Sequence, residues 1–251
     1  MIRILLRGCN GKMGQEISKL VKKDEEYKVV AGIDRRESED NYYPVFKTFS
    51  DCNVEADVII DFSSPQNIDE MFSYAINKKL PIVLCTTGLS EDELNRVKET
   101  STKVAILRSA NMSVGINTVI KLLQEATKVL AERDFDIEII ERHHNQKVDA
   151  PSGTALLIAD AMNEVLDNEY TYKYDRTVER EKRSKKEIGI LPLRGGSIIG
   201  DHEVIFAGLD EVIEIKHTAY SRAIFAKGAI FAAKYLIDKA PGMYQMSDVI
   251  S

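Results

Sequence analysis

The chain lacks several features that would place it in common classes of protein. Its 251 residues contain no tryptophan and only three cysteines, and no apolar run approaches the length needed to span a bilayer. Residues 1–6 lack the long apolar core of a signal peptide, so we expect a cytoplasmic protein. The cysteines are odd in number and far apart, without metal-ligand spacing, which predicts free thiols in a reducing compartment.

An excess of positive charge is also missing. Lys and Arg number 34 against 40 Asp and Glu, which gives a net charge of −6. A mildly acidic chain is a poor nucleic-acid binder, so we expect neither a nucleic-acid nor a membrane partner. The length and ordinary apolar content predict one large domain or two modest ones, each able to bury a core.

A short apolar strand and a glycine-rich turn open the sequence. The turn has the pattern G-x-x-G-x-x-G at Gly8, Gly11 and Gly14, and a helical pattern follows it. A second predicted strand ends on Asp34, 20 residues after Gly14. Glycines also mark ordinary tight turns, but this spacing is typical of a dinucleotide-binding fold in which an acid binds the adenosine ribose. The combination favours nucleotide binding.

The residues after Asp34 leave the choice of nucleotide open. A carboxylate accepts the ribose hydroxyls of NADH, whereas the guanidinium groups of Arg35 and Arg36 would attract the 2′-phosphate of NADPH. We expect NADH or NADPH, with a slight preference for NADH. The alternative for the two arginines is a solvated loop.

Strands and helices then alternate, which predicts an α/β, Rossmann-like, doubly wound parallel sheet. Ligands of such sheets bind outside the carboxyl ends of the strands. We therefore expect the nicotinamide half of the cofactor near Phe62, residues 86–88 and Asn111.

The later part of the chain predicts a second α+β domain. Apolar runs at 188–193, 203–207 and 212–217 are separated by short turns, which favour antiparallel pairing in a mostly antiparallel sheet. One sheet face would be free to associate with a copy of itself. Since the last helix is expected to return to the first domain, we predict a dinucleotide-binding domain of residues 1–112 with 222–251 and a substrate-binding and oligomerisation domain of residues 113–221.

The densest group of reactive side chains lies between 138 and 155. A strand pattern stops after Ile140, and a polar loop with two histidines and a lysine follows it. Ser152 then precedes an amphipathic helix as its cap, so that N–H groups at Gly153 and Thr154 favour an anion.

Residues 141–155 read E-R-H-H-N-Q-K-V-D-A-P-S-G-T-A, which resembles the signature of the dihydrodipicolinate reductase family without a gap. The D-F-S, T-T-G and A-N-M-S stretches resemble other elements of that family, although Cys85 and Met112 replace its commoner glycine and phenylalanine. The resemblance implies an NAD(P)H-dependent enzyme of the diaminopimelate route to lysine, active as a homotetramer. Its substrate would be a small cyclic dicarboxylate, and domain rotation would bring the nicotinamide to the substrate ring.

The resemblance also implies roles for individual residues. His143 would donate the proton that accompanies hydride addition, with Lys147 as the rival donor. His144 and Lys147 would bind one substrate carboxylate, and Ser152, Gly153 and Thr154 the other. The expected cofactor-binding residues are Gly8, Asn10, Gly11, Lys12, Met13, Gly14, Asp34, Arg35, Phe62, Ser63, Thr86, Thr87, Gly88, Ala110, Asn111 and Met112.

Several alternatives stay open at this point. The loop after Ile140 can be a solvated surface, and a zinc site from the four histidines lacks known ligand spacing, so we expect no metal. Cys85 would suit a thioester-forming dehydrogenase, and a redox-sensing NAD(H)-binding regulator would need an effector or DNA-binding element that the sequence does not show. Arg222 would either contact the substrate or cap the last helix.

Overall fold

The computed structural model describes residues 1–36, 41–177 and 180–250, and the chain divides into two compact units. The first unit is Met1–Val114 with Arg222–Ser251, and the second is Gly115–Ser221. No described helix is both long enough and apolar enough to cross a membrane.

The first unit is built from alternating strands and helices. Its elements before the second unit are β1 (Ile2–Arg7), α1 (Lys12–Val21), β2 (Tyr27–Ile33), β3 (Val45–Phe46), β4 (Val58–Asp61), α2 (Ile68–Lys78), β5 (Ile82–Leu84), α3 (Glu91–Ser101) and β6 (Ala105–Arg108). Helix α4 (Val114–Leu130) follows and continues into the second unit.

The second unit continues with a short 3₁₀ helix and a strand-rich segment. Its elements are the 3₁₀ helix Ala131–Arg133, β7 (Asp136–His143), α5 (Gly153–Glu164), β8 (Thr171–Lys173), β9 (Glu187–Arg194), β10 (Gly200–Ala207) and β11 (Val212–Ala219). The chain then returns to the first unit with α6 (Ala223–Leu236), β12 (Gly242–Tyr244) and α7 (Met246–Val249).

The first unit contains a parallel sheet in the order β12-β6-β5-β4-β1-β2-β3. Its central strands are apolar on both faces, which is the pattern of a parallel sheet covered on each side. Side chains of α1 and α6 pack on one face, and those of α2 and α3 pack on the other. The predicted doubly wound Rossmann-like fold is therefore confirmed.

The second unit contains a mixed sheet in the order β11-β10-β7-β9-β8. The antiparallel ladders, β10 with β11 and β10 with β7, pair eight and seven residues. The parallel ladders, β7 with β9 and β8 with β9, pair seven and three. Helices α4 and α5 cover one face around Leu123, Ile137 and Ile158, so the predicted α+β class is confirmed.

Two details of the second unit differ from the sequence predictions. β9 and β10 are joined by a short turn but do not pair, because β7 lies between them. β7 also continues past Ile140 to His143, so the predicted polar loop begins three residues later than expected. Along β7 the residues alternate between half-buried and buried, and Glu141 and His143 occupy the same buried face as Ile137 and Ile139. Apolar residues stop at Ile140, but the alternation between half-buried and buried positions continues to His143.

Candidate functional site

The glycine turn between β1 and α1 has the geometry that a dinucleotide requires. Gly8 has φ +78°, and a Cβ on Gly14 would lie 2.3 Å from the carbonyl oxygen of Gly8. Both positions are therefore restricted to glycine. Gly11 occupies the N-cap position of α1 and supplies no side-chain cap, so the first N–H groups of this helix are available to a phosphate.

Asp34 lies directly after β2 and is held against this turn. One carboxylate oxygen accepts the N–H of Asn10 at 2.9 Å, and the other accepts the N–H of Arg36 at 2.9 Å. The Arg35 guanidinium donates to the side-chain oxygen of Gln66 at 2.9 Å. The carboxylate keeps lone pairs for a ribose hydroxyl, and the two arginines are exposed beside it.

A cavity of about 350 Å³ lies at this edge of the first unit. The predicted cofactor-binding residues that line it are Gly8, Gly11, Asp34, Arg35, Phe62 and Ser63. Arg36 and Lys47 add cationic side chains, and the predicted residues after β5 and β6 are not among those that line it. The cavity is thus lined by the glycine turn and by the ends of β2 and β4.

A buried ion pair joins three strand ends at the same sheet edge. Arg7 at the end of β1 contacts Asp61 at the end of β4 at 3.1 Å, and the Asp61 side chain is fully buried. Asp61 also accepts hydrogen bonds from the Ser63 hydroxyl at 2.5 Å and the Thr86 hydroxyl at 2.7 Å. Sequence reasoning missed Arg7 and Asp61 as site residues. The signal was present, since residues of opposite charge directly follow the apolar runs 4–6 and 58–60.

The remaining predicted cofactor-binding residues follow β5 and β6. Thr87, Gly88 and Ala110 are exposed, whereas Asn111 and Met112 are buried. The side-chain oxygen of Asn111 accepts the N–H of Ser113 at 2.8 Å, which fixes the turn into α4. These groups lie after neighbouring parallel strands, where α/β sheets bind their ligands.

In the second unit, His143 at the end of β7 is bound to Glu141. Nδ1 of the imidazole lies 2.5 Å from Oε2 of Glu141, whose side chain is fully buried. Arg194, at the end of β9, donates to both oxygens of Glu141 at 2.8 and 2.7 Å. Glu141 and Arg194 are functional candidates that sequence reasoning missed, and no sequence pattern connects positions 53 residues apart.

Burial and neighbouring charges act on this group in opposite directions. Burial, with smaller contributions from Lys147 and Arg194, lowers the pKa of His143 below its ordinary value, although Glu141 acts to raise it. Burial would also raise the pKa of Glu141, but Arg194, His143 and the N–H of Ser152 hold that pKa below its usual range. Glu141 is therefore an ionised carboxylate at neutral pH.

The start of α5 is connected to the same carboxylate. Ser152 donates its N–H to Glu141 at 2.9 Å, and its hydroxyl accepts the N–H of Ala155 at 3.1 Å, which is the predicted helix cap. Gly153 and Thr154 form the first turn, and Gly153 is exposed with open space beside it. The helix start of the predicted anion site is thus exposed, and the N–H of Gly153 already interacts with the Asp149 carboxylate.

The predicted loop residues lie close to these groups in the chain. His144 is half-buried, and Lys147 donates its N–H to the carbonyl of His144 at 3.2 Å. The ammonium group of Lys147 pairs with Asp149 at 2.8 Å. The loop is therefore an ordered turn with a cation, rather than a freely solvated segment.

The other two histidines, His202 and His217, lie on β10 and β11. His202 Nε2 lies 3.0 Å from the Ser152 hydroxyl, and its ring lies 5.2 Å from that of His143. Burial, with His143 nearby, lowers the pKa of His202 to about 4, so this ring is neutral at pH 7. Nδ1 of His217 is buried and meets no hydrogen-bond partner within the described chain. No three His, Cys, Asp or Glu side chains of the described ranges are placed to hold one metal ion.

Two further residues were left open by the sequence. Desolvation by the surrounding protein, and then Asp61, raise the pKa of Cys85 well above its usual value, which disfavours the thiolate that a thioester mechanism needs. Arg222 occupies the N-cap position of α6, but its side chain makes no capping hydrogen bond.

Matches to known proteins extend along almost the whole chain. Residues 2–112 match the family model for the N-terminus of dihydrodipicolinate reductase, and residues 115–250 match the model for its C-terminus. The chain is 51% identical over 250 residues to a 4-hydroxy-tetrahydrodipicolinate reductase of Caldanaerobacter subterraneus subsp. tengcongensis, and 51% identical over 251 residues to one of Clostridium tetani. Each alignment covers 100% of this chain and 98% of the relative.

The solved structures that resemble this chain also include a dihydrodipicolinate reductase. The dipicolinate-bound dihydrodipicolinate reductase of Paenisporosarcina sp. TG-14 has a TM-score of 0.82 at 26% identity, over 98% of this chain and 97% of that one. A diaminopimelate dehydrogenase of C. glutamicum has a TM-score of 0.57 at 16% identity, over 100% of this chain and 95% of that one, and shows a shared fold alone.

The fold and the family matches together define an oxidoreductase that uses a nicotinamide cofactor. More narrowly, the chain belongs to the dihydrodipicolinate reductase family. The family suggested by residues 141–155 is therefore confirmed.

Proposed function

We propose that this protein catalyses the NAD(P)H-dependent reduction of 4-hydroxy-tetrahydrodipicolinate to tetrahydrodipicolinate, in which the 4-hydroxyl group is lost as water, a step in the diaminopimelate route to lysine. The observation that best supports the proposal lies in the second unit. A buried imidazole, His143, and an accessible helix start, at Gly153, are held by the same carboxylate, Glu141. A proton donor beside an anion site is what reduction of a cyclic dicarboxylate requires.

The first unit supplies a site that fits the cofactor. Gly8 and Gly14 leave the turn free of side chains, and the start of α1 offers N–H groups to a pyrophosphate. Asp34 would accept the adenosine ribose hydroxyls, and Ser63, with the residues of the 86–88 turn, would line the nicotinamide half. The bound nicotinamide supplies the hydride.

The choice between NADH and NADPH depends on the cavity charges. Asp34 would repel a 2′-phosphate, while Arg35, Arg36 and Lys47 would attract it. Because the Asp34 carboxylate is fixed by two backbone N–H groups and the arginines are exposed, we propose that NADH is preferred and NADPH is accepted.

The second unit would grip the substrate and supply the proton. Ser152, Gly153 and Thr154 would bind one carboxylate at the start of α5, and His144 and Lys147 would bind the other. His143 would then donate a proton to the atom that becomes electron-rich after hydride addition, with Lys147 as the rival donor. Two anionic groups beside the imidazole would raise its pKa, so substrate binding itself would favour the protonated donor.

We further propose a cytoplasmic homotetramer, in keeping with the family resemblance. Support for self-association comes from the sheet of the second unit, where Leu191, Leu193 and Val212 are exposed. Leu191 and Leu193 lie two residues apart on the same face of β9, and neighbouring exposed apolar side chains are typical of surfaces that become buried in assemblies.

A coupled assay tests the proposed reaction. The upstream enzyme condenses aspartate semialdehyde with pyruvate, and oxidation of NADH or NADPH is followed by absorbance. We expect turnover with both nucleotides and a higher kcat/KM with NADH. His143→Gln is expected to lower kcat by about 10²-fold or more while NADH affinity stays unchanged, and Lys147→Ala to raise the substrate KM. Normal turnover by both variants would refute the residue roles, and no turnover by the unaltered protein would refute the reaction.

A further inference from the structure

We propose that Glu141 and Arg194 are positioning residues that set the tautomer and protonation of His143; the inference rests on the proposed function. Glu141 is fully buried, yet each of its oxygens accepts two hydrogen bonds. Oε2 contacts His143 Nδ1 and Arg194, and Oε1 accepts from Ser152 and from Arg194 again. Such complete satisfaction is what a buried carboxylate needs to stay ionised.

The contact with Glu141 determines which imidazole nitrogen can act on a substrate. An ionised carboxylate only accepts hydrogen bonds, so Nδ1 of His143 donates to it and must be protonated. In the neutral ring Nε2 then has the lone pair, and it is the nitrogen that gains and gives the transferable proton. Gly200 on β10 faces this nitrogen, because a Cβ at that position would lie 3.1 Å from Nε2. The lack of a side chain at Gly200 thus leaves space beside Nε2.

Arg194 extends the same arrangement to the predicted substrate-binding loop. Besides its two bonds to Glu141, its guanidinium donates to the carbonyl of Asp149 at 2.6 Å. The Asp149 side chain pairs with Lys147, and Ser152 joins Glu141 to the start of α5. One ion pair therefore connects the proton donor with both predicted carboxylate-binding elements, and removing it should loosen all three.

The two members of the pair act on His143 with opposite sign. The groups whose charges act on the imidazole are Glu141 on the same strand, Arg194 on β9 and Lys147 in the loop. The ring of His202 on β10 lies beside it but is neutral at pH 7. Glu141 favours the imidazolium, whereas Arg194 and Lys147 disfavour it. Glu141→Gln should therefore move the basic limb of the pH–kcat profile to lower pH, and Arg194→Gln should move it to higher pH. Damage to packing alone would not produce two shifts of opposite direction.

The test uses the full-length protein with these two variants and a matched control. Glu203→Gln removes one of the two acidic partners of Arg142, at 2.7 Å on the opposite face of the same sheet. We expect Glu141→Gln to lower kcat by about 10- to 100-fold, as is common when a group that orients a catalytic histidine is removed. NADH affinity should not change, and the control should keep the kcat and pH profile of the unaltered protein. The deficit of Glu141→Gln should shrink as pH falls, because the imidazolium is then restored.

Nitrogen-15 NMR of histidine-labelled protein gives a readout that needs no substrate. Neutral His143 should be the Nδ1–H tautomer in the unaltered protein and should lose that preference in Glu141→Gln. An unchanged tautomer with unshifted profiles, or profiles that shift in the same direction, would overturn the proposal. Should Glu141→Gln fail to fold, the direction of the Arg194→Gln shift decides, since that side chain is 19% exposed and its loss leaves Glu141 in place. Absence of turnover in the unaltered protein, with the Nδ1–H tautomer observed, would refute the reaction but not the positioning role.

Discussion

Replacing Asp61 by asparagine tests whether the buried ion pair organises the cofactor edge of the first unit. Asp61 is fully buried, and Arg7 beside it is almost fully buried. The substitution keeps the shape of the side chain but leaves the guanidinium without an anion. It also replaces one acceptor oxygen by an amide NH₂ donor. In one orientation of the amide this donor faces Arg7 and Thr86, and in the other it faces Ser63.

The expected loss of stability follows from this burial. Removing one partner of a buried ion pair typically costs about 3–5 kcal/mol, because the other charge remains desolvated. At about 1.4 kcal/mol per tenfold change, the unfolding equilibrium constant should rise by roughly 10²- to 4 × 10³-fold. Ser63 and Thr86 lose their common anchor, so we also expect NADH to bind about tenfold more weakly. Urea unfolding and NADH titration by fluorescence measure the two effects.

The same two segments contain a matched control. Arg3 and Asp57 form a second ion pair of 2.7 Å, but their side chains are 40% and 30% exposed. Exposed pairs contribute about 0–1 kcal/mol, so Asp57→Asn should cost little and should not affect NADH. A loss below about 1 kcal/mol for Asp61→Asn, or equal losses for the two variants, would refute the argument from burial.

Two further predictions concern the cofactor turn and pH. Gly14→Ala places a Cβ against the Gly8 carbonyl at 2.3 Å, so NADH affinity should fall at least tenfold. In the control Gly195→Ala, the Cβ would meet its nearest neighbour at 3.8 Å, so this variant should bind NADH normally in the same titration. Because burial lowers the pKa of His143 and the donor must be protonated, kcat/KM should decline as pH rises through a pKa below that of an ordinary histidine. The decline in kcat should occur at higher pH than the decline in kcat/KM, since bound substrate carboxylates raise the pKa of His143. If kcat and kcat/KM declined at the same pH, this prediction would be contradicted.

Much of the first unit could be predicted from local patterns. Apolar runs such as Val58–Asp61 alternate with amphipathic helices, and Ser90 caps α3 by accepting the N–H of Glu93. The short strands Val45–Phe46 and Gly242–Tyr244 were not predicted, because their few residues form a strand only through pairing with a neighbour. The sequence pattern therefore predicted the fold, but not the short strands at the two edges of its sheet.

The second unit shows where sequence patterns fail. The boundary of β7 was wrong because Glu141 and His143 are polar residues on a buried face, a position that is stable only with partners from elsewhere. Those partners, Arg194 and Ser152, come from β9 and α5 and have no local signal. The short turn between β9 and β10 likewise suggested direct pairing, but β7 pairs with both strands and separates them. Residue types indicated the chemistry, while tertiary contacts determine which groups act together.

Transfer of deuterium from the cofactor to the substrate tests the central claim most directly. NADH with deuterium at both C4 positions would be incubated with the protein and freshly formed 4-hydroxy-tetrahydrodipicolinate, and the product examined by mass spectrometry. The proposed reaction predicts tetrahydrodipicolinate that is one mass unit heavier than the product made with ordinary NADH. Product without the label, or NADH oxidised without any substrate reduction, would contradict it.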